Sequence, residues 1–158
     1  VSVKQLDSDE SALLALFQYM ISNVDWAATR GPDPDECCHN VKLIGPEPTQ
    51  SDDTVYAIPY DFDSSGLVNS PYAHPPEGLG VNSVTQRLYR GYCAHNASLE
   101  GARQKLLDNE TAIYGLVETE DRLEAKKQQK ALEYLADFFA VMRDDKAFQK
   151  KIVDMCRG

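Results

Sequence analysis

The sequence predicts an α+β domain, mainly helical, with one β-hairpin wedged into its first half. Three observations predict it. Apolar residues recur at helical spacing near the start (Leu13, Leu14, Phe17, Tyr19, Met20, Ile21) and near the end (Leu132, Leu135, Phe138, Phe139, Val141, Met142). Two short β-prone runs, Val41-Lys42-Leu43-Ile44 and Thr54-Val55-Tyr56-Ala57-Ile58, flank a polar stretch that begins at Gly45-Pro46. Segment 59–82 then lacks any helical period and holds Pro59, Pro71, Pro75 and Pro76. A loop of that length in a compact domain is usually functional or disordered. The aromatics Tyr56, Tyr60, Phe62 and Tyr72 argue that this one is pinned.

The elements follow in order. Residues 1–8 read as an extended lead-in. Ser8 or Asp9 caps a helix that runs to about Asn23. Residues 27–38 are loop, 41–44 and 54–58 are the strands, and 46–53 form a polar turn. Ser83 caps a helix through Cys93 or Ala94, with Val84, Leu88 and Cys93 inward. Ser98 starts another to about Gly115. Two more cover about 117–141 and 144–156, the last holding Phe148, Ile152, Val153 and Met155. The charged stretch 120–130 reads as solvated helix surface. The chain is one domain, 1–158, with a candidate metal or catalytic half at 1–66 and a helical half at 67–158.

Composition bounds the function. The chain has 158 residues, 42% hydrophobic and 26% charged, enough to bury a sizeable core without staples. Sixteen Lys and Arg against twenty-five Asp and Glu give a net charge of −9. Duplex nucleic acid and anionic membrane need a positive face, so neither is the main partner. A nucleotide or other small molecule remains, and no apolar run is long enough for a membrane span. The first residue is Val1 and no signal-peptide pattern is present, so encoded residues are expected upstream. Export and a cytoplasmic location both stay open. Cys37, Cys38, Cys93 and Cys156 lack C-x-x-C spacing. Buried free thiols are the expected state, with a disulfide from Cys37 or Cys38 to Cys93 or Cys156 as the alternative. Asn96-Ala97-Ser98 and Asn109-Glu110-Thr111 match the glycosylation acceptor pattern, a common chance match.

Three polar clusters sit where apolar residues are expected. Asn23 and Asp25 end the first helix, His39 and Asn40 precede the first strand, and Asp61 and Asp63 follow the second. A hairpin sets the end of its second strand beside the start of its first, so Asn40 should meet the Asp61/Asp63 pair, with Asp25 folding back onto them. An amide with two or three carboxylates suits a hard divalent cation such as Mg²⁺ or Mn²⁺. His39 reads as a hydrogen-bonding loop histidine before it reads as a base or ligand. Arg87 and Arg90 share a helix face at i,i+3. They read as partners of Asp61 and Asp63 in preference to a phosphate clamp.

The motifs Asn23-Val24-Asp25-Trp26, His39-Asn40-Val41-Lys42-Leu43-Ile44 and Pro59-Tyr60-Asp61-Phe62-Asp63, followed by Gly66, resemble the catalytic half of the protein-kinase-like superfamily. The resemblance is closest to divergent bacterial branches such as the spore-coat-type kinases, with their N-x-D, H-N and W-D-x-D elements, and it covers residues 11–66. The stretches 60–68 and 83–93 are also similar to conserved bacterial proteins of unassigned activity. The kinase-like resemblance implies the fold of a C-terminal kinase lobe and a metal-dependent phosphotransferase using ATP with Mg²⁺ or Mn²⁺. It implies Asp25 as the residue that orients and deprotonates the acceptor hydroxyl, Asn40 and Asp61 as metal ligands, and Asp63 as a second acidic ligand. The sequence departs from the pattern in the fifteen positions from Asp25 to Asn40 and in Asp63 where Gly is usual. No Gly-rich loop and no Val-Ala-Ile-Lys lysine occur, so the nucleotide-clamping lobe is expected upstream. The alternative is a non-enzymatic, pseudokinase-like or structural domain of a secreted or surface bacterial protein.

Overall fold

Asp7 accepts the Glu10 N–H at 2.9 Å, and this cap starts helix α1 (Ser8–Ile21) one residue earlier than the Ser8 or Asp9 expected. The structure is a computed structural model that describes residues 1–31, 37–47 and 49–158. The middle of the expected 27–38 loop, 32–36, and position 48 of the expected 46–53 turn lie outside the described residues. After α1 come β1 (Val41–Ile44), β2 (Tyr56–Pro59), α2 (Leu99–Asp108), α3 (Glu110–Glu118), α4 (Ala125–Arg143) and α5 (Asp145–Lys151). The fold is therefore α+β and mainly α, with a single antiparallel hairpin pairing Val41 with Pro59 and Ile44 with Tyr56.

α1 is the axis of the core. Ala12, Leu14, Ala15, Leu16, Tyr19, Met20 and Ile21 are all buried, more of the circumference than a surface helix covers. Around it pack Ala102 and Leu106 of α2, Leu135, Phe138, Phe139 and Met142 of α4, and Phe148 of α5, with Trp26 and Tyr89 from loops. The lead-in is not wholly extended: Val3–Gln5 form a 3₁₀ turn, and Leu6 bridges Val55.

Several expected boundaries are corrected. No α-helix forms over 83–94. The Ser83 hydroxyl bonds the Thr85 N–H at 3.2 Å, a local turn that competes with a helical start. The Thr85 carbonyl then accepts the Tyr134 hydroxyl at 2.8 Å, so it serves tertiary packing instead of a helix ladder. A 3₁₀ segment at Cys93–Ser98 follows. The 98–115 helix is two, α2 and α3, divided at Asn109, whose side chain turns back to the Lys105 carbonyl at 2.8 Å. α4 begins at Ala125 and not 117, because Glu120 and Arg122 close a turn ahead of it. α5 ends at Lys151, with a 3₁₀ turn at Val153–Met155.

The cysteines are paired, which overturns the free-thiol expectation. Cys93 bonds Cys156, and Cys37 bonds its neighbour Cys38; neither is the cross-pairing that was the alternative. Tyr92 and Arg157 also form a parallel bridge, so the end of the chain is fastened to its middle. Arg87 does not meet Asp61 or Asp63. Its Nε and Nη2 donate to the Tyr19 and Met20 carbonyls at the end of α1 and to the Tyr134 carbonyl of α4 at 2.6 Å, with the guanidinium over the Tyr134 ring at 3.8 Å. A cation at a helix C-terminus complements the dipole there. No described helix is long and apolar enough to cross a membrane.

Candidate functional site

The site begins where α1 stops. Ser22 takes a left-handed conformation (φ 54°), and its N–H closes the last turn. Its hydroxyl donates to the Val84 carbonyl at 2.7 Å. The 62–67 segment docks on the same end, with the Gly66 N–H on the Ser22 carbonyl and the Leu67 N–H on the Ile21 carbonyl, both at 3.0 Å. Loop 60–67 is therefore held against the helix end by backbone bonds, which any local side-chain chemistry can use as a fixed frame.

Asn23 is 1% exposed and links two of the clusters. Its Oδ1 accepts the Asp25 N–H at 3.0 Å, and its Nδ2 donates to the Asp61 carbonyl at 3.1 Å. Asp25 links the third. Its Oδ1 lies 2.9 Å from His39 Nε2, and its Oδ2 and carbonyl accept Asn40 Nδ2 at 3.2 and 2.8 Å. Asn40 Nδ2 also lies 3.3 Å from His39 Nε2, so the three side chains form one contact group. The strand-like bridge between Ala27 and His39, two N–H···O bonds of 2.9 Å, fixes the imidazole over Asp25. Asn40 sits at φ 54°, a region Asn tolerates better than most residues, and its carbonyl accepts the Tyr60 N–H. The Asp25 and His39 side chains are 30% and 34% exposed, so the pair is open to a reactant.

Asp61 and Asp63 serve the following loop. Asp61 Oδ1 accepts the Asp63 N–H at 3.4 Å, and its Oδ2 has no partner among the described residues. Both Asp63 oxygens are engaged, Oδ1 by Ser64 at 3.2 Å and Oδ2 by Tyr72 at 3.1 Å. Asn40 Oδ1 is likewise without a partner among the described residues. The oxygens available to a hard cation are thus one amide and one carboxylate, a donor set of the right chemistry for Mg²⁺ that leaves most of the shell to other groups. Among the described residues no three His, Cys, Asp or Glu gather as a ready-made metal cage.

The back wall is basic, which the sequence reading missed. Arg90 Nη1 donates to the Val24 carbonyl, one residue from Asp25. Arg157 stacks at 4.8 Å from the Tyr92 ring and 5.6 Å from Trp26. Burial and, after it, the charge of Arg157 pull Arg90 down to about 10, against the opposing pull of Tyr92 and Asp25. Burial lowers Arg157 too. Arg90 Nε and Arg157 Nε and Nη2 are buried with no hydrogen-bond partner among the described residues. The i,i+3 spacing drew attention to Arg90 but assigned it to Asp61 and Asp63, whereas it donates to a backbone carbonyl. Nothing near Arg157 in sequence pointed to it, because its place depends on a bridge spanning sixty-odd residues.

The three clusters read from the sequence thus lie in one network, with Asn23 and Asp25 at its centre. No family model, no curated protein and no solved structure matches the chain.

Proposed function

We propose that the chain is the catalytic lobe of a metal-dependent phosphotransferase of kinase-like type. The observation that carries it is one hydrogen-bonded network from three separate segments, in which His39 and Asn40 hold the partly exposed Asp25 carboxylate and Asn23 joins Asp25 to the Asp61 backbone. Asp25 orients an acceptor hydroxyl and takes its proton. His39 and Asn40 hold the carboxylate in one rotamer, so little reorganisation is needed when the hydroxyl arrives. Asn40 Oδ1 and Asp61 Oδ2 are the oxygens for Mg²⁺ or Mn²⁺, and Asp63 joins them only by releasing Tyr72 and Ser64. The cation, when bound with ATP, would neutralise charge on the transferring phosphoryl group. Asn23 holds the Asp61 backbone at a set height beside Asp25.

One observation favours a second reading. Both Asp25 oxygens already have partners, so the network also works as a clasp between α1 and the hairpin. The Cys93–Cys156 disulfide suits an oxidising compartment. Together they fit a non-enzymatic domain of a secreted or surface protein.

Calorimetric titration with Mg²⁺–ATP, paired with Asp25→Asn, separates the two. In the phosphotransferase reading wild type binds metal–nucleotide, and Asp25→Asn keeps binding while losing turnover by about 10²-fold or more. A clasp instead gives no heat with wild type and a lowered melting temperature for Asp25→Asn.

A further inference from the structure

Between the 85–89 segment, α4 and α5 lies a cavity of about 670 Å³, within the range of small-molecule sites. Tyr19, Arg87, Tyr89, Asp137, Asp144 and Lys151 are among its walls, and none of Asn23, Asp25, His39, Asn40 or Asp61 is. It is thus separate from the site described above.

The wall chemistry is specific. Arg87 uses Nε and Nη2 on backbone carbonyls, and Nη1 has no partner among the described residues. Nor does Arg87 form an ion pair with any described carboxylate. The Tyr19 hydroxyl also lacks a described partner, and burial pushes its phenol up, so it stays a neutral donor at neutral pH. Asp144 Oδ1 caps α5 through the Ala147 N–H at 2.7 Å, leaving Oδ2. Asp137 and Lys151 make no described side-chain bond. The formal charges of Arg87 and Lys151 cancel those of Asp137 and Asp144. A dianion therefore meets no net attraction, whereas a ligand bearing one charge of each sign can satisfy both sets. Leu88, Val141 and Met155 add an apolar wall.

We propose that this cavity binds a zwitterionic small molecule of the α-amino acid class. Its carboxylate is taken by Arg87 Nη1 and the Tyr19 hydroxyl, its ammonium by Asp137 and Asp144, and its aliphatic side chain by the apolar wall. Arg87 offers the Nη1 end of its guanidinium to a carboxylate while Nε and Nη2 hold the group in place.

The test is an NMR titration of the whole chain with L-leucine, N-acetyl-leucine, leucinamide and inorganic phosphate. The expected result is saturable shifts around Tyr19, Arg87 and the α4–α5 junction with L-leucine at millimolar concentration. N-acetyl-leucine, which lacks the ammonium, and leucinamide, which lacks the carboxylate, each bind about tenfold more weakly. Arg87→Lys and Asp137→Asn each weaken L-leucine by a similar factor. Asp137 is exposed, so its variant keeps the fold even if the Arg87 variant does not. No shifts at about 10 mM L-leucine, shifts mapping elsewhere, equal binding of N-acetyl-leucine, or tighter binding of phosphate would each overturn the proposal.

Discussion

Arg87 shows how one side chain can hold two helices. Its guanidinium carries bonds to α1 and α4 at once, and burial lowers its ionisation, with the phenols of Tyr134 and Tyr19 opposing. Removing it leaves carbonyls unpaired and takes a cation from a helix end. Hydrogen bonds to charged groups contribute about 1.5–3 kcal/mol each, so Arg87→Ala is expected to cost about 3 kcal/mol or more. Lys127→Ala, which loses only an exposed 3.5 Å pair with Glu124, should stay within about 0.5 kcal/mol. Equal urea midpoints for the two variants would sink this. Tyr89 makes a second residue-scale prediction. It is 3% exposed, and burial pushes its phenol upward, with Arg157 opposing. A group whose folded ionisation point is raised keeps its full contribution below the unfolded value, here about 10, and loses it as pH rises further. The unfolded chain ionises there first, so stability falls. Arg90, lowered to about 10, acts in the opposite direction in the same alkaline window. The difference between variants isolates the phenol: Tyr89→Phe should lose less melting temperature than wild type between about pH 8 and 11. Parallel declines would show that Tyr89 does not contribute.

Among elements, the junction of α1 with loop 62–67 is the most demanding. A Cβ on Gly66 would overlap the Val84 carbonyl oxygen and stand 2.8 Å from Thr85 Cα, both backbone atoms that cannot swing away. Gly66→Ala should therefore cost at least about 1–3 kcal/mol and loosen the Asp61 segment. Thermal melting at wild-type temperature for this variant would mean the junction is pliable. This element-scale picture also marks what could be read in advance. α1 and the hairpin were legible because their signals are local: period 3.6 over 13–21 and β-branched runs at 41–44 and 54–58. Hairpin geometry brings the Asn40 backbone beside Tyr60, one residue before Asp61, while the Asn40 side chain turns to Asp25 and the Asp61 carboxylate to the Asp63 N–H. The 83–94 helix failed for a reason that lies outside its own residues: Thr85 and Arg87 take partners from α1 and α4. Leu116 of α3 is 74% exposed, while Ile113, Tyr114 and Val117 of the same helix pack on the core. The Cys93–Cys156 link and the Arg157 wall depend on contacts that no window of neighbouring residues contains.

For the whole molecule, the Cys93–Cys156 bond encloses 63 positions of sequence, from the 3₁₀ segment through α5. In the chain-entropy account a loop of that length stabilises the fold by about 4 kcal/mol, by limiting the unfolded ensemble. Cys93→Ala with Cys156→Ala should lower the urea midpoint accordingly, and dithiothreitol should do the same to wild type. A midpoint unchanged by either would leave the bond without a stabilising role. The same bond also sets a load path. The 91–93 and 156–157 segments lie parallel, joined by the Cys93 N–H to the Arg157 carbonyl and the Arg157 N–H to the Gly91 carbonyl, both 2.8 Å. Tension applied at Gly158 passes through Cys156 directly into Cys93 and on towards the hairpin. Helices α2 to α5 lie off that line and carry none of it. A contour of roughly 220 Å stays hidden from any pull on the two ends until a reductant opens the ring.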